Sequence, residues 1–145
     1  MPTVREILAE KPSGLWSVTP DETVFSALRK MAEKEVGALL VVDEAGHLAG
    51  IFSERDYARK GILKGRASKD TPVREIMTSK VYYVTPAHSL EECLALMTEK
   101  RIRHLPVMEE GNLRGVVSIG DVGKGLIADR EFLIHHLEKY ISGER

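Results

Sequence analysis

Two four-residue stretches carry the residue types best suited to chemistry: Ser53-Glu54-Arg55-Asp56 and Ser118-Ile119-Gly120-Asp121. Both read Ser-x-x-Asp, the spacing of a capping box, in which the hydroxyl accepts from an early helix N–H and the acid reaches back. The same spacing has a second use. A helix N-terminus offers unpaired N–H groups and the positive end of the dipole, where phosphate can rest. An ionised Asp only accepts hydrogen bonds, so it suits paired hydroxyls and repels phosphate. A third stretch, Arg101-Ile102-Arg103-His104-Leu105-Pro106, reads by itself as a polar helix end running into a buried strand, its charges in solvent.

Other reactive residue types lead nowhere. Cys93 lies within an apolar helix pattern and aligns with Ala27 of an earlier copy of that pattern, which makes it a buried structural thiol. His135 and His136 are adjacent and point different ways on a helix, whereas metal ligands on a helix want i, i+4 spacing. Gly120, Gly123 and Gly125 do not make the dinucleotide fingerprint. No P-loop, Ser-His-Asp or Cys-His arrangement can be assembled. The expectation is a chain that is not an enzyme.

The elements that hold these residues are written twice. Val18-Thr19-Pro20 recurs as Val84-Thr85-Pro86, and at the same offset Leu28 pairs with Leu94, Met31 with Met97, Leu39 with Leu105, and Val41 with Val107. Past a polar, Gly-containing turn the offset drops by one: Gly50 pairs with Gly115, Ser53 with Ser118, Asp56 with Asp121. A length change is cheap in such a turn. Upstream, Val4-Arg5-Glu6-Ile7-Leu8 recurs as Val73-Arg74-Glu75-Ile76-Met77. A period this long makes two domain-sized copies rather than a solenoid.

Each copy has one order. A short extended piece ends at Thr-Pro, and a helix follows with apolar residues at helical spacing (Val24, Leu28, Met31; Leu90, Leu94, Met97). Two β-branched apolar runs joined by the polar turn then read as a hairpin: 37–42 with 48–52, and 105–108 with 113–117. A short second helix starts after Ser53 and after Ser118. Residues 64–72 form a polar linker, and 129–141 form a final amphipathic helix with Phe132, Leu133, Leu137 and Ile141 on one side. The expected divisions are 1–66, 67–128 and 129–145. One copy alone is too small to bury both faces of its hairpin. The two sheets are therefore expected to pack on each other with pseudo-twofold symmetry, helices outside, as one α+β unit.

Bulk properties set the class. The chain has 145 residues, 43% hydrophobic and 30% charged, with a net charge of −1. That is apolar enough for a core. It supplies no global field for nucleic acid or an anionic membrane, so a bound anion must be held by a local cluster. A single Cys points to a reducing compartment, and neither a signal peptide nor a stretch of roughly 20 apolar residues is present. A cytoplasmic location follows as the expectation, with no nucleic-acid or membrane partner.

With order and repeat in place, the chain resembles a tandem CBS pair, also called a Bateman module, of the stand-alone kind. The resemblance runs from about Val4 to Ile127. It is carried by Val18-Thr19-Pro20, 37–43 and 50–57, and by Val84-Thr85-Pro86, 102–107 and 115–122. It implies a βαββα fold per repeat, dimers of pairs, and clefts between repeats for adenosine-containing ligands: AMP, ADP, ATP, S-adenosylmethionine or NAD. In the family the Asp holds the ribose, the Ser/Thr positions approach the phosphates, and basic residues at the start of the hairpin's first strand meet phosphate. That assigns one cleft to Asp121, Ser118, Gly120, Arg103 and His104, with Trp16, Val18 and Val36 as its adenine wall. The other takes Asp56, Ser53 and Arg55, with Tyr82, Val84 and Ile102. Both depart from the family's fuller S/T-x-S/T-D pattern, with Arg55 and Gly120 at the middle hydroxyl position.

The two clefts should therefore differ, and the one with Asp121 is expected to hold phosphate more tightly. Gly37 and Ala38 stand in the first copy where Arg103 and His104 stand in the second. The implied function is regulatory binding of an adenine nucleotide, with no cofactor required, reporting to an unidentified regulated protein. The rival reading is a ligand-free structural or interaction module acting through its dimer surface. A homodimer is expected from apolar positions taken to be exposed on the helices: Val24, Leu28, Met31 and the 132–141 stripe.

Overall fold

The computed structural model describes residues 2–10 and 16–142, without the side chains of 131–133, 135–137 and 139–142. Its elements are α1 (Val4–Glu10), β1 (Ser17–Val18), α2 (Val24–Lys34), β2 (Ala38–Val42), β3 (Leu48–Ser53), α3 (Glu54–Asp56), α4 (Leu90–Lys100), β4 (His104–Glu109), β5 (Asn112–Ser118) and α5 (Ile119–Ser142). A π-turn (Tyr57–Gly61) and a 3-10 turn (Ile62–Lys64) follow α3, and another 3-10 turn covers Val73–Glu75. This is a mixed α+β fold: the first copy has the order βαββα, and the second has αββα with a single bridge at Val84 in place of the first strand.

The chain forms two compact units, Gly14–Tyr82, and Tyr83–Arg145 together with Met1–Ser13. These cut the chain differently from the sequence repeats, because each unit holds the leader that precedes the other repeat. In the Gly14–Tyr82 unit, the Val73 and Arg74 amides donate to the carbonyls of Glu22 (2.8 Å) and Pro20 (2.9 Å). In the other unit, the Val4 and Arg5 amides donate to His88 (2.9 Å) and Pro86 (3.0 Å). These are the same bonds made by the two copies. Val73 and Ile76 are fully buried in the first case, Val4 and Ile7 buried in the second.

In the Gly14–Tyr82 unit the sheet order is β1-β2-β3, with β1 parallel to β2 and the β2–β3 hairpin antiparallel. Val18, Val24, Ala27, Met31, Leu39, Val41 and Phe52 form its core with Val73 and Ile76. In the other unit β4 and β5 pair antiparallel, and Val84 adds a single parallel bridge to Val107. The β4–β5 connection is Glu110-Gly111, both with positive φ. Two such residues turn the chain in the sense that matches strand twist.

Helices α2 and α4 end alike, at Glu35 (φ 54) and Arg101 (φ 56) in the left-handed region. The Val36 and Ile102 amides bond back to Met31 and Met97 (3.1 and 3.0 Å). This Schellman geometry reverses the chain and aims the next residues into β2 and β4.

Three expectations change. Val24 and Met31 are 1% and 3% exposed and sit in the core, and Leu28 packs against it. The 24/28/31 stripe is the buried face of α2, not a surface patch, since one apolar stripe can cover only one neighbour. The remaining stripe, Phe132, Leu133, Leu137 and Ile141, lies outside the described side chains. The helix after Ser118 and the helix over 129–141 are one continuous element, α5. The 64–72 segment is not a loose linker: the Val24 and Phe25 amides donate to the carbonyls of Thr71 (2.8 Å) and Ser68 (2.9 Å), tying it to the start of α2.

Candidate functional site

In the Tyr83–Arg145 unit, the turn at Arg101 delivers Ile102, Arg103 and His104 to the open end of the β4–β5 hairpin. His104 stands directly opposite Ser118 in register, so both side chains leave the same face. The Ile119 amide donates to the Arg103 carbonyl (2.8 Å), which pins the strand start to the first turn of α5. Ser118 and Asp121 form the reciprocal cap: the Asp121 amide donates to Ser118 Oγ (3.0 Å) and the Ser118 amide to Asp121 Oδ2 (2.8 Å). Arg103, His104, Ser118, Gly120 and Asp121 are thus gathered in one place. Arg103 and Gly120 are exposed, and the other three half-buried. Of the three first-turn amides, those of Ile119 and Asp121 are already committed. An anion here would therefore meet at most the Gly120 amide of the first turn.

The equivalent place in the Gly14–Tyr82 unit uses the same backbone and different chemistry. The Glu54 amide donates to the Gly37 carbonyl (3.1 Å), and Ala38 stands opposite Ser53. The hairpin end thus carries no charge where the other unit has Arg103 and His104. The Ser53–Asp56 capping box is complete, and Asp56 is 8% exposed. Its Oδ2 accepts from the Ser53 amide (2.9 Å) and the Ser53 hydroxyl (3.0 Å). Its Oδ1 accepts from the Thr78 hydroxyl (3.0 Å) and lies 3.4 Å from Lys60 Nζ. Three hydrogen-bond donors and the Lys60 ion pair surround a carboxylate with about four lone-pair sites. Arg55 is exposed beside it.

The expected wall residues divide by burial. Val18 and Val84 are 3% and 1% exposed and belong to their units' interiors; a ligand could meet their backbone, not their side chains. Val36 packs against the core. Trp16 is 42% exposed, with Lys34 Nζ 4.4 Å from its ring centroid. Tyr82 and Ile102 are half-buried, and Lys80 Nζ lies 5.8 Å from the Tyr82 ring. Each expected cleft draws on residues of both units. Within single units, the residues brought together are the Arg103–Asp121 group and the Ser53–Asp56 group.

Sequence reasoning missed Thr78 and Lys60. Lys60 carried a readable signal, the i, i+4 spacing from Asp56. Thr78 carried only a break in the repeat, since its counterpart in the other leader is Ala9.

Reactive chemistry is scarce elsewhere. Burial, with the Glu92 carboxylate as a smaller cause, pushes the Cys93 thiol up to about 11, which disfavours the thiolate a nucleophile needs. The Ser89 amide and hydroxyl, capping α4, hold the Glu92 carboxyl below its ordinary value. Among the described residues, no three His, Cys, Asp or Glu side chains gather in a way that could hold a metal ion; His135 and His136 lie outside the described side chains. No described helix is long and apolar enough to cross a membrane.

Comparison with known proteins agrees with this architecture. The CBS domain model matches residues 4–61 and 73–127. The mitochondrial CBS domain-containing protein CBSX3 of Arabidopsis thaliana is 44% identical over 135 residues, covering 90% of this chain and 65% of its own. The chain thus spans just under two thirds of that relative. The solved structure of a protein with CBS domains from Burkholderia ambifaria MC40-6 is 54% identical with a TM-score of 0.84, covering 88% of this chain and 95% of that one. A hexameric CBS-CP12 protein from bloom-forming cyanobacteria is 28% identical with a TM-score of 0.74, covering 83% and 67%. Two matched domains in sequence, each carrying its own capped Ser-x-x-Asp turn, place this chain in the CBS-domain family as a tandem pair.

Proposed function

We propose that this chain is a non-catalytic regulatory module that binds an adenine nucleotide (AMP, ADP, ATP or an NAD-like ligand) at the group formed by Arg103, His104, Ser118, Gly120 and Asp121. The observation that carries this reading is the convergence of two basic residues and a half-buried, hydroxyl-accepting carboxylate on one hairpin end. Asp121 suits ribose hydroxyls, and Arg103 with His104 suits phosphate. Binding would bias a conformational equilibrium by its differential affinity for the two states, and a regulated protein would read that bias. Self-association is part of the proposal, supported by exposed Ile127 (59%) and Ile134 (49%), seven residues apart on α5, and by the assembly of the cyanobacterial relative.

The test is a thermal-shift screen with AMP, ATP, NAD and S-adenosylmethionine, since a ligand that binds only the native state raises its melting temperature. A shift with AMP or ATP that disappears in Asp121→Ala supports the reading. No shift with any ligand rejects it in favour of a structural or interaction module. One observation favours that second reading for the first repeat alone: three hydrogen-bond donors and the Lys60 ion pair on Asp56 account for its place without a ligand.

A further inference from the structure

The two capping boxes are copies, and the Asp56 carboxylate is also held by two groups from outside its box. Asp56 Oδ1 is taken by the Thr78 hydroxyl at 3.0 Å and by Lys60 Nζ at 3.4 Å. In the sequence repeat the counterparts of Thr78 and Lys60 are Ala9, which has no side-chain donor, and Gly125, which has no side chain. Thr78 is held firmly. It lies just past the leader turn Val73–Glu75, and its amide and carbonyl both bond to Ile51 (2.8 and 2.9 Å). The hydroxyl is therefore presented to Asp56 by fixed backbone, as a sugar hydroxyl would be presented by a bound nucleoside.

We infer that Thr78 is an internal substitute for a ligand hydroxyl, which together with Lys60 keeps the Asp56 side closed and sets the protein to one nucleotide per chain. The inference rests on the nucleotide-binding reading above and adds its stoichiometry. A ligand reaching Asp56 must displace a hydrogen bond to a charged, 8%-exposed group, and such bonds are among the stronger ones in proteins. Thr78 is a specificity-determining residue here: it contacts the carboxylate that a ligand would need.

The experiment is calorimetric titration with AMP of the wild type, Asp121→Ala, Thr78→Val and the double variant. Val keeps the shape of Thr and removes the donor. The wild type is expected to bind one equivalent, Asp121→Ala to bind about 10- to 100-fold more weakly, Thr78→Val two equivalents, and the double variant one, at least about tenfold more tightly than Asp121→Ala alone. Thr78→Ser, which retains the hydroxyl, should stay at one equivalent. Should Thr78→Val not melt cooperatively, Lys60→Met with Asp121→Ala takes its place and is expected to gain binding in the same direction. A wild type that binds two equivalents, or a double variant that stays empty while the wild type binds one, overturns the inference and leaves the Asp121 reading intact. A wild type that binds nothing while Thr78→Val gains one equivalent has the opposite meaning: the Asp121 reading falls and the closure by Thr78 stands. No binding by either protein removes both.

Discussion

Adding one methyl group at each of two equivalent glycines should have unequal costs, and the structure gives the reason. Gly50 in β3 and Gly115 in β5 are repeat partners, and both face the leader that docks on their unit. A Cβ at Gly50 would lie 2.7 Å from the Thr78 carbonyl oxygen and 2.9 Å from Met77 Sδ. That carbonyl accepts from the Ile51 amide, and the Thr78 amide donates back to Ile51, so it cannot yield without loosening both bonds. A Cβ at Gly115 would lie 2.8 Å from Leu8 Cδ2 alone, the free end of a side chain that can change rotamer. Overpacking costs typically about 1–3 kcal/mol, and each weakened backbone bond adds up to about 1 kcal/mol. Gly50→Ala should therefore cost about 3 kcal/mol and Gly115→Ala about 1 kcal/mol. Urea unfolding followed by circular dichroism compares the two. Trp16, the one tryptophan in the sequence, reports on the Gly14–Tyr82 unit by fluorescence. Gly115→Ala matching or exceeding Gly50→Ala would refute the claim that the Thr78 backbone is the rigid partner.

The two aspartates should divide affinity and stability unequally. Asp121→Ala is expected to weaken AMP binding by about 1.5–3 kcal/mol and to lose its cap as well, at about 1 kcal/mol of stability, whereas Asp56→Ala should lower stability by about 1–3 kcal/mol with little loss of affinity; paired titrations and melts decide. Adenosine should bind well below AMP, and added salt should weaken AMP more than adenosine because screening acts on the phosphate; equal salt slopes in competition binding would remove Arg103 and His104 from the site. Cys93, with its thiol raised from 9.0 to about 11, should resist alkylation at pH 8 until the protein unfolds. The raised value also means the folded state holds its proton longer than the unfolded chain. The corresponding stability is present below pH 9 and lost as pH rises toward 11, which alkaline urea melts would register. A fragment of residues 14–82 should fold cooperatively and one of residues 1–66 should not, since only the first contains the docked Val73 and Ile76; circular dichroism melts of both fragments test this.

The sequence made the elements readable because duplication wrote each signal twice. A single Ser-x-x-Asp or Val-Thr-Pro is weak evidence, but two in the same order place both hairpins, both capped helices and the Arg103–Asp121 group. What escaped has physical reasons. Val4–Leu8 and Val73–Met77 were visible as copies, but chain order carries no information about which repeat a short leader covers. That is decided by backbone bonds to Pro20 and Glu22, or Pro86 and His88. The stripe at Val24, Leu28 and Met31 was visible too, and periodicity states that a face is apolar without stating what covers it. The non-equivalence of the two sites was expected from residues inside the motifs, Arg55 against Gly120 and Gly37-Ala38 against Arg103-His104. The structure adds a difference that lies outside them. Thr78 stands 22 positions beyond Asp56 and Lys60 four beyond, where no motif spacing looks. After a duplication both carboxylates are needed for their helix caps, so neither can be lost cheaply. A copy can still be withdrawn from ligand chemistry by supplying donors from neighbouring segments, which fills the carboxylate and keeps the cap. On that reasoning Thr78→Val should return the Asp56 turn to ligand chemistry while leaving its cap in place.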